Sequence, residues 1–388
     1  MNRYLVTLGL LVAGVLTMVV FSTTRPKAPL QVTRTTCPNS APMHGLLPVL
    51  FRIGVLKKPR MASEVRASDT STSIVIRPDP RDQIQCGKSL VRTIEGVVYA
   101  NRTLPDKKTN DLKMDIQVPE PLRKRPLVVY VPGGGFVLAA KESASDLRTY
   151  VAEAGFVVAS IQYRTTRDSA TFRDGIADVK SAIRFLRANA DRYGIDAGDV
   201  SVWGESAGGY LAAMAGVTNG NRAFEVGNNL DQRSDVQRVV DKFGASDISK
   251  LADDFDLPTH SANYSSDNLV LYIGKARDGH VLDSEIASTT ANPLTYVTSS
   301  APPFLLFHGN QDRLVSPSQT LILHNALLAS GVRSTRYVVD GAGHGDLAFM
   351  GDSQSGLPWS TNEIMNLIVD FLTRPGSGAT RGPPKDGR

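Results

Sequence analysis

The sequence predicts an α/β fold in which a mostly parallel sheet is covered by helices on both faces. Short runs that are apolar throughout recur along the chain, and segments with helical periodicity separate them. Strands buried on both faces carry continuous apolar runs, whereas half-exposed strands alternate apolar and polar residues. Apolar strands interleaved with helices are typical of a parallel sheet with helices on both sides.

The predicted strands and helices follow one another in a regular order. An antiparallel pair comes first, at residues 94–99 and 112–118. Further strands are predicted at residues 127–131, 156–161, 200–203, 239–243, 304–307 and 337–339. Helices are predicted at residues 172–192, through 321–328 up to Gly331, and at 362–372. Residues 246–299 interrupt this order and are predicted to form a small cap insertion.

The two ends of the chain differ from the predicted domain, residues 93–374. Residues 4–21 are uncharged and mostly apolar, a length between the core of a signal peptide and a membrane span. Residues 1–24 are therefore predicted to be a signal peptide or a membrane anchor, and the protein is expected outside the cytoplasm. Residues 25–92 are predicted to be a linker and irregular extension, and residues 375–388 a disordered tail. Whether Cys37 and Cys86 pair stays open.

The net charge of +5 and the pI near 9.1 suggest an anionic partner such as nucleic acid. The distribution of the charge argues otherwise. Residues 1–67 contain nine Lys or Arg and one acid, and residues 376–388 contain three and one, so the chain between them carries −5. A mildly acidic domain gives no support for nucleic-acid binding. The basic ends bear instead on export or on contact with an anionic envelope.

Ser206 is the candidate nucleophile. It lies in Gly-Glu-Ser-Ala-Gly-Gly, residues 204–209, between a predicted strand and a helical segment. A Gly-x-Ser-x-Gly turn in that position is a nucleophile elbow, which presents the serine hydroxyl at the top of the sheet. The small flanking residues let the chain turn sharply, and the following helix N-terminus favours developing negative charge.

A glycine-rich loop, residues 132–136, follows the predicted strand 127–131 and reads Pro-Gly-Gly-Gly-Phe. Backbone N–H groups of such a loop can stabilise the oxyanion that forms during acyl transfer. Gly134, Gly135 and Ala207 are the predicted donors. Tyr163 and Arg164, which follow another predicted strand, are expected to pack under this loop.

Asp312 and His344 are the candidate acid and base, because each follows a later predicted strand. Ser206, Asp312 and His344 occur in the nucleophile–acid–base order of α/β hydrolases. A serine hydroxyl needs a base to take its proton, and the acid fixes the tautomer of the imidazole. Asp247 is the alternative acid. His308 is expected to pack in the core or to support the site.

The sequence contains no cluster of His, Asp and Glu with metal-ligand spacing, and no dinucleotide or phosphate-binding glycine motif. No metal and no cofactor is therefore expected.

These motifs resemble the carboxylesterase branch of the α/β-hydrolase superfamily, which includes hormone-sensitive-lipase-like esterases and bacterial acetyl and feruloyl esterases. The resemblance covers about residues 90–374 and includes the runs at 301–312 and 341–345. It implies the α/β-hydrolase fold with an eight-stranded sheet, no cofactor, and a triad of Ser206, Asp312 and His344. The family usually has histidine before the three glycines, where this chain has Pro132. Proline cannot make the hydrogen bond by which that histidine tethers the loop.

The sequence therefore predicts a serine esterase that hydrolyses small-molecule carboxylic esters, of short acyl chains, through an acyl-enzyme on Ser206. An amidase or peptidase using the same triad is the alternative enzyme. A non-catalytic binding member of the fold is the alternative outside enzymes. The acyl and alcohol specificity and the oligomeric state are not readable from the sequence.

Overall fold

The structure is a computed structural model in which residues 61–256, 272–273, 286, 289–345 and 357–374 are described. Strands in this part of the chain form a single nine-stranded sheet in the order β1-β9-β8-β7-β6-β4-β5-β3-β2. They are β1 (Ile74–Ile76), β2 (Val91–Thr103), β3 (Thr109–Pro119), β4 (Arg125–Val131), β5 (Val157–Ile161), β6 (Ile195–Glu205), β7 (Arg238–Lys242), β8 (Phe304–Gly309) and β9 (Ser334–Val339). The predicted mostly parallel sheet is confirmed, with one strand more than the predicted eight.

Strands β4 to β9 and β1 pair in parallel, and β2 and β3 form the antiparallel edge. The additional strand, β1, lies within the segment predicted to be irregular. It is only three residues long, and Ile74 and Val75 are 49% exposed, so its sequence carries no pattern of a buried strand. Among the described strands it pairs only with β9 and therefore lies at the edge of the sheet.

The central strands are buried on both faces. In β4, Leu127, Val129 and Val131 pack into the core on one side of the sheet, and Val128 and Tyr130 pack into the core on the other. This two-sided burial explains why the strand sequences are apolar throughout rather than alternating.

Helices cover both faces of the sheet, as predicted. They are α1 (Ser145–Glu153), α2 (Phe172–Ala188), α3 (Ala190–Tyr193), α4 (Ala207–Val217), α5 (Ser318–Ala329) and α6 (Asn362–Thr373). Helices α2 and α4 pack on one face and α1 and α6 on the other. Helix α1 was not predicted, because it buries the polar residues Arg148 and Thr149 beside its apolar ones and shows no clean apolar stripe.

Several predicted segments lie wholly or partly outside the described residues. They are the N-terminal segment 1–24, the first part of 25–92, most of the cap 246–299, and the tail 375–388. No helix within the described residues is long and apolar enough to span a membrane. Cys86 is disulfide-bonded, and the other cysteine of the chain, Cys37, lies outside the described residues.

Candidate active site

Ser206 occupies a tight turn between β6 and α4. Its backbone has φ 54° and ψ −123°, a conformation that non-glycine residues rarely adopt. Its N–H donates to the carbonyl of Lys242 on the neighbouring strand at 3.0 Å. A Cβ atom at Gly204 would collide with the backbone of Gly208, and one at Gly208 with the carbonyl of Val131. The turn therefore requires glycine at both positions, as the sequence motif indicated.

The structure brings the three predicted side chains together at the carboxyl ends of the strands. His344 Nε2 lies 2.7 Å from Ser206 Oγ, and His344 Nδ1 lies 2.7 Å from Asp312 Oδ2. Asp312 is completely buried and His344 is 3% exposed. Because the carboxylate can only accept, His344 carries a proton on Nδ1 and offers Nε2 to the serine hydroxyl. This is the geometry that removal of the serine proton requires.

Asp312 is held by more than His344. Its Oδ1 accepts the N–H groups of Leu314 and Val315, both at 2.9 Å. Its Oδ2 also lies 3.0 Å from His308 Nε2. Burial raises the pKa of Asp312, but the charge of His344 and the hydrogen bonds from both histidines outweigh it and hold the pKa well below its usual range. Asp312 therefore stays ionised while fully buried.

The tautomer of His308 follows from its partners. Its Nε2 faces only acceptors, Asp312 Oδ2 and the carbonyl of Val315, so it carries a proton. Burial lowers the pKa of His308, so its Nδ1 is unprotonated and accepts from Thr320 Oγ1, 3.1 Å away. Thr320 Oγ1 in turn accepts from Arg336 Nε at 2.9 Å. A buried hydrogen-bond chain thus runs from Arg336 to Ser206. No sequence pattern marks Thr320 or Arg336 as part of it.

The glycine-rich loop passes directly over the nucleophile. A Cβ atom at Gly133 would lie 3.2 Å from Ser206 Cβ. Gly134 and Gly135 follow with φ 150° and 59°, conformations suited to glycine. Ala207 is the first residue of α4, so its N–H has no acceptor within the helix. Ala207 therefore follows Ser206 directly, whereas Gly134 and Gly135 follow Gly133, the loop residue that approaches Ser206. The role of these three residues as oxyanion donors stays a prediction.

The segment after β5 holds this loop at both ends. Tyr163 donates its hydroxyl to the carbonyl of Pro132 at 2.9 Å, and the N–H of Thr166 donates to the carbonyl of Phe136 at 2.9 Å. Tyr163 therefore packs under the loop as predicted, and it ties the residue that replaces the usual histidine. The guanidinium of Arg164 forms ion pairs with two carboxylates in the first two turns of α2, Asp174 and Asp178.

The alternative acid, Asp247, does not contact His344. Its carboxylate accepts from Ser249 N–H at 3.1 Å and pairs with Lys250 at 3.7 Å. His308 supports Asp312, as expected. Within the described residues, no three His, Cys, Asp or Glu side chains are grouped so that they could hold a metal ion.

The fold and these contacts define the class of protein: an α/β hydrolase with a serine, histidine and aspartate in hydrogen-bond contact at the carboxyl ends of its strands. The BD-FAE family model matches residues 114–327, more than half of the chain. The chain belongs to the BD-FAE family, and the resemblance to the carboxylesterase branch is confirmed.

Its relatives include two proteins of Mycobacterium tuberculosis. Esterase LipQ is 28% identical over 276 residues, and Esterase LipC is 31% identical over 259 residues. These alignments cover 68% and 65% of this chain and 61% of each relative, so the chain spans less than two thirds of their length. Among solved structures, a truncated carbohydrate esterase from gut microbiota is similar with a TM-score of 0.60 and 24% identity. That similarity covers 77% of this chain and 98% of the other, and it establishes the fold.

Proposed function

We propose that the protein hydrolyses carboxylic esters through an acyl-enzyme on Ser206. The observation that carries this proposal is the unbroken hydrogen-bond chain from Asp312 through His344 to the hydroxyl of Ser206. The names of the relatives LipQ and LipC, both esterases, support the same chemistry.

In the proposed mechanism, His344 Nε2 takes the proton of Ser206 as its Oγ attacks the ester carbonyl. Asp312 stabilises the imidazolium that forms. Backbone N–H groups of Gly134, Gly135 and Ala207 hold the oxyanion, and His344 then protonates the departing alcohol. Water enters, His344 removes its proton, and attack on the acyl carbon releases the acid and restores Ser206.

The substrates we propose are small-molecule esters with short acyl chains. Aromatic rings fill the space beside the glycine-rich loop. Phe136 stacks on Tyr272 at a centroid distance of 4.3 Å and meets Tyr210 edge-on at 5.6 Å. All three rings are buried, so this side of the loop leaves little room for a long apolar chain.

We also propose that the protein is exported, with residues 1–24 as signal peptide or anchor and residues 4–21 as the membrane-associating part. The disulfide of Cys86 supports an oxidising compartment, since such bonds rarely persist in the cytoplasm.

Replacement of the nucleophile tests the proposed reaction. Ser206→Ala should fold normally yet lose turnover of p-nitrophenyl acetate by at least about a thousandfold, because the covalent step has no nucleophile. Ser201→Ala, at a buried serine of the preceding strand β6, is the control and should keep turnover. Wild-type turnover in Ser206→Ala would overturn the assignment.

The same assay separates the alternatives. An acyl series of p-nitrophenyl esters from acetate to palmitate should show kcat/KM falling with chain length. A p-nitroanilide with the preferred acyl group should be cleaved far more slowly than the ester, whereas equal rates would favour an amidase. A fluorophosphonate probe should label Ser206, whereas a binding-only protein would stay unlabelled.

A further inference from the structure

A buried ammonium group lies beside the turn that carries the nucleophile. Lys242 ends β7, and its side chain is 1% exposed. Its Nζ pairs with Glu205 Oε1 at 2.7 Å, and its carbonyl accepts the N–H of Ser206 at 3.0 Å. Lys242 therefore holds the nucleophile turn through its main chain and through its side chain. The proposed mechanism has no use for this ion pair.

The same ammonium group faces the loop that carries the base. Its Nζ lies 5.2 Å from the ring centroid of Trp359 and 5.6 Å from that of Phe243, within the range of cation–π attraction. Phe243 contacts the imidazole of His344, with ring centroids 4.7 Å apart. Trp359 donates its indole N–H to the carbonyl of Gly343 at 3.1 Å. The two rings thus connect Lys242 to His344 and to the residue before it.

Phe243 is held firmly in this position. Its φ of 46° is unusual for a bulky residue, and its N–H donates to the carbonyl of Phe307 at 2.7 Å. Its ring meets Trp359 edge-on at 4.8 Å. Because the Phe243 ring is fixed by its backbone and its neighbours, we expect a displacement of Lys242 to shift the imidazole of His344 as well.

We propose that Lys242 is a positioning residue that holds the turn of Ser206 and the loop of His344 in register through Glu205, Phe243 and Trp359. The proposal rests on the proposed hydrolysis at Ser206. Lys242 itself is buried away from the reacting atoms, so its effect is expected on kcat and on the protonation of the base, with KM little changed.

The charged groups around this pair determine what its removal does. His344 faces Asp312 and Ser206, with His308 beyond the aspartate. On the other side, Tyr130 of β4 and Asp146 of α1 lie near the ion pair, and Arg148 of α1 lies 5.8 Å from the ring centroid of Tyr130. Burial raises the pKa of Asp146, and Glu205 adds to that increase while Lys242 opposes it. Glu205 and Lys242 balance each other, so losing either one leaves an uncompensated charge near the base.

Removal of one partner should therefore move the acid limb of the kcat/KM–pH profile in a predictable direction. Lys242→Met leaves Glu205 unbalanced, favours the imidazolium, and should move the limb to higher pH by roughly half a unit. Glu205→Gln leaves Lys242 unbalanced and should move it to lower pH by a similar amount. The double variant removes both charges and should return the limb to its wild-type position.

Turnover reports the positioning itself. After normalisation to active sites titrated with a fluorophosphonate, kcat should fall by about tenfold in Lys242→Met and in the double variant. Lys242→Arg keeps the charge and the cation–π contacts and should restore the acid limb and most of kcat.

Lys180→Met is the matched control, because Lys180 is equally buried and its polar partners, Glu225 at 3.3 Å, Thr218 and Ser234, are not members of the triad. Lys180→Met should lower the unfolding midpoint about as much as Lys242→Met does. Its kcat per active site and the acid limb of its pH profile should be unchanged. Wild-type kcat per active site in Lys242→Met, or an acid limb that stays in place in both single variants, would overturn the positioning role alone if Ser206→Ala is inactive. Full turnover in Ser206→Ala would overturn the proposed function and the positioning role with it.

Discussion

Asp312 holds two histidines with one oxygen atom. His344 Nδ1 and His308 Nε2 both donate to its Oδ2, and two backbone N–H groups occupy Oδ1. The orientation of the acid toward His344 therefore depends on His308, whose own orientation depends on Thr320 and, behind it, Arg336. Burial lowers the pKa of Arg336 to about 10, so this cation remains charged and remains a donor at neutral pH.

Thr320 is the link in this chain that can be removed with least change of shape. Thr320→Val deletes the hydroxyl, so His308 Nδ1 loses its donor and Arg336 Nε its buried acceptor, at a cost of about 1–3 kcal/mol. We expect kcat with p-nitrophenyl acetate to fall by about tenfold per titrated active site. Thr320→Ser keeps the hydroxyl and should retain most of the activity. Wild-type kcat in folded Thr320→Val would show that His308 does not orient Asp312.

The sequence predicted the triad and a supporting role for His308, but not the residues behind them. Ser206, Asp312 and His344 follow strands, and their motifs are local, so their meeting at one edge of the sheet follows from the strand order. Thr320 lies in a helix, Arg336 in β9 and Lys242 in β7, and nothing beside them in the sequence marks them. Their contacts form only after distant segments pack together.

At the scale of elements, α4 packs closely on β7 beneath the nucleophile turn. A Cβ atom at Gly209 would collide with the carboxylate of Asp241, which is completely buried. Asp241 Oδ1 accepts the N–H of Gly244 at 2.9 Å, but Oδ2 has no hydrogen-bond partner. Burial raises the pKa of Asp241 from 3.8 to about 7, against the opposing hydrogen bond from Gly244.

This pKa makes the stability of the fold depend on pH. Between about pH 4 and 7 the folded protein binds a proton that the unfolded chain lacks, so the contribution of Asp241 to stability falls as the pH rises. Asp241→Asn stays neutral throughout and should stabilise the protein at pH 8 by about 1–3 kcal/mol, net of one unsatisfied amide donor. That gain should shrink below pH 7. Urea unfolding at pH 8 and pH 5 measures it, with the exposed Asp231→Asn as control, and an equal effect at both values would contradict the raised pKa.

The strands could be predicted from the sequence where their residues are apolar and buried on both faces of the sheet. Strands β4 to β9 were each predicted to within a few residues, apart from the early start of β6 at Ile195. Helix α1 and strand β1 were missed, because one buries Arg148 and Thr149 and the other is short and half-exposed. Both depend on tertiary contacts that leave no periodic pattern in the sequence.

At the scale of the whole molecule, the net positive charge does not lie in the part of the chain that contains the triad. The chain between residues 68 and 375, which contains the triad, carries −5, and the positive charge lies toward the two ends. This distribution agrees with the proposal that the basic ends contribute to export or to contact with an anionic envelope.

Deletion of the N-terminal segment tests the proposed export. The full chain should fractionate outside the cytoplasm, and a chain lacking residues 4–21 should remain inside, because the apolar run is the proposed targeting signal. The N-terminal sequence of the mature protein then distinguishes a cleaved peptide from a retained anchor. The mass of the non-reduced protein under alkylation reports whether Cys86 is oxidised. A cytoplasmic full chain with free thiols would contradict the proposal.

The hydrogen bonds that hold both ends of the glycine-rich loop restrict how the loop can change in sequence. Tyr163 and Thr166 hold Pro132 and Phe136, the two ends of that loop, from one short segment after β5. An insertion or deletion between the two ends would break at least one of these bonds, so the length of the loop is fixed by its neighbour. We therefore expect substitutions that alter substrate preference without changing the length of the loop to lie at residues that border it.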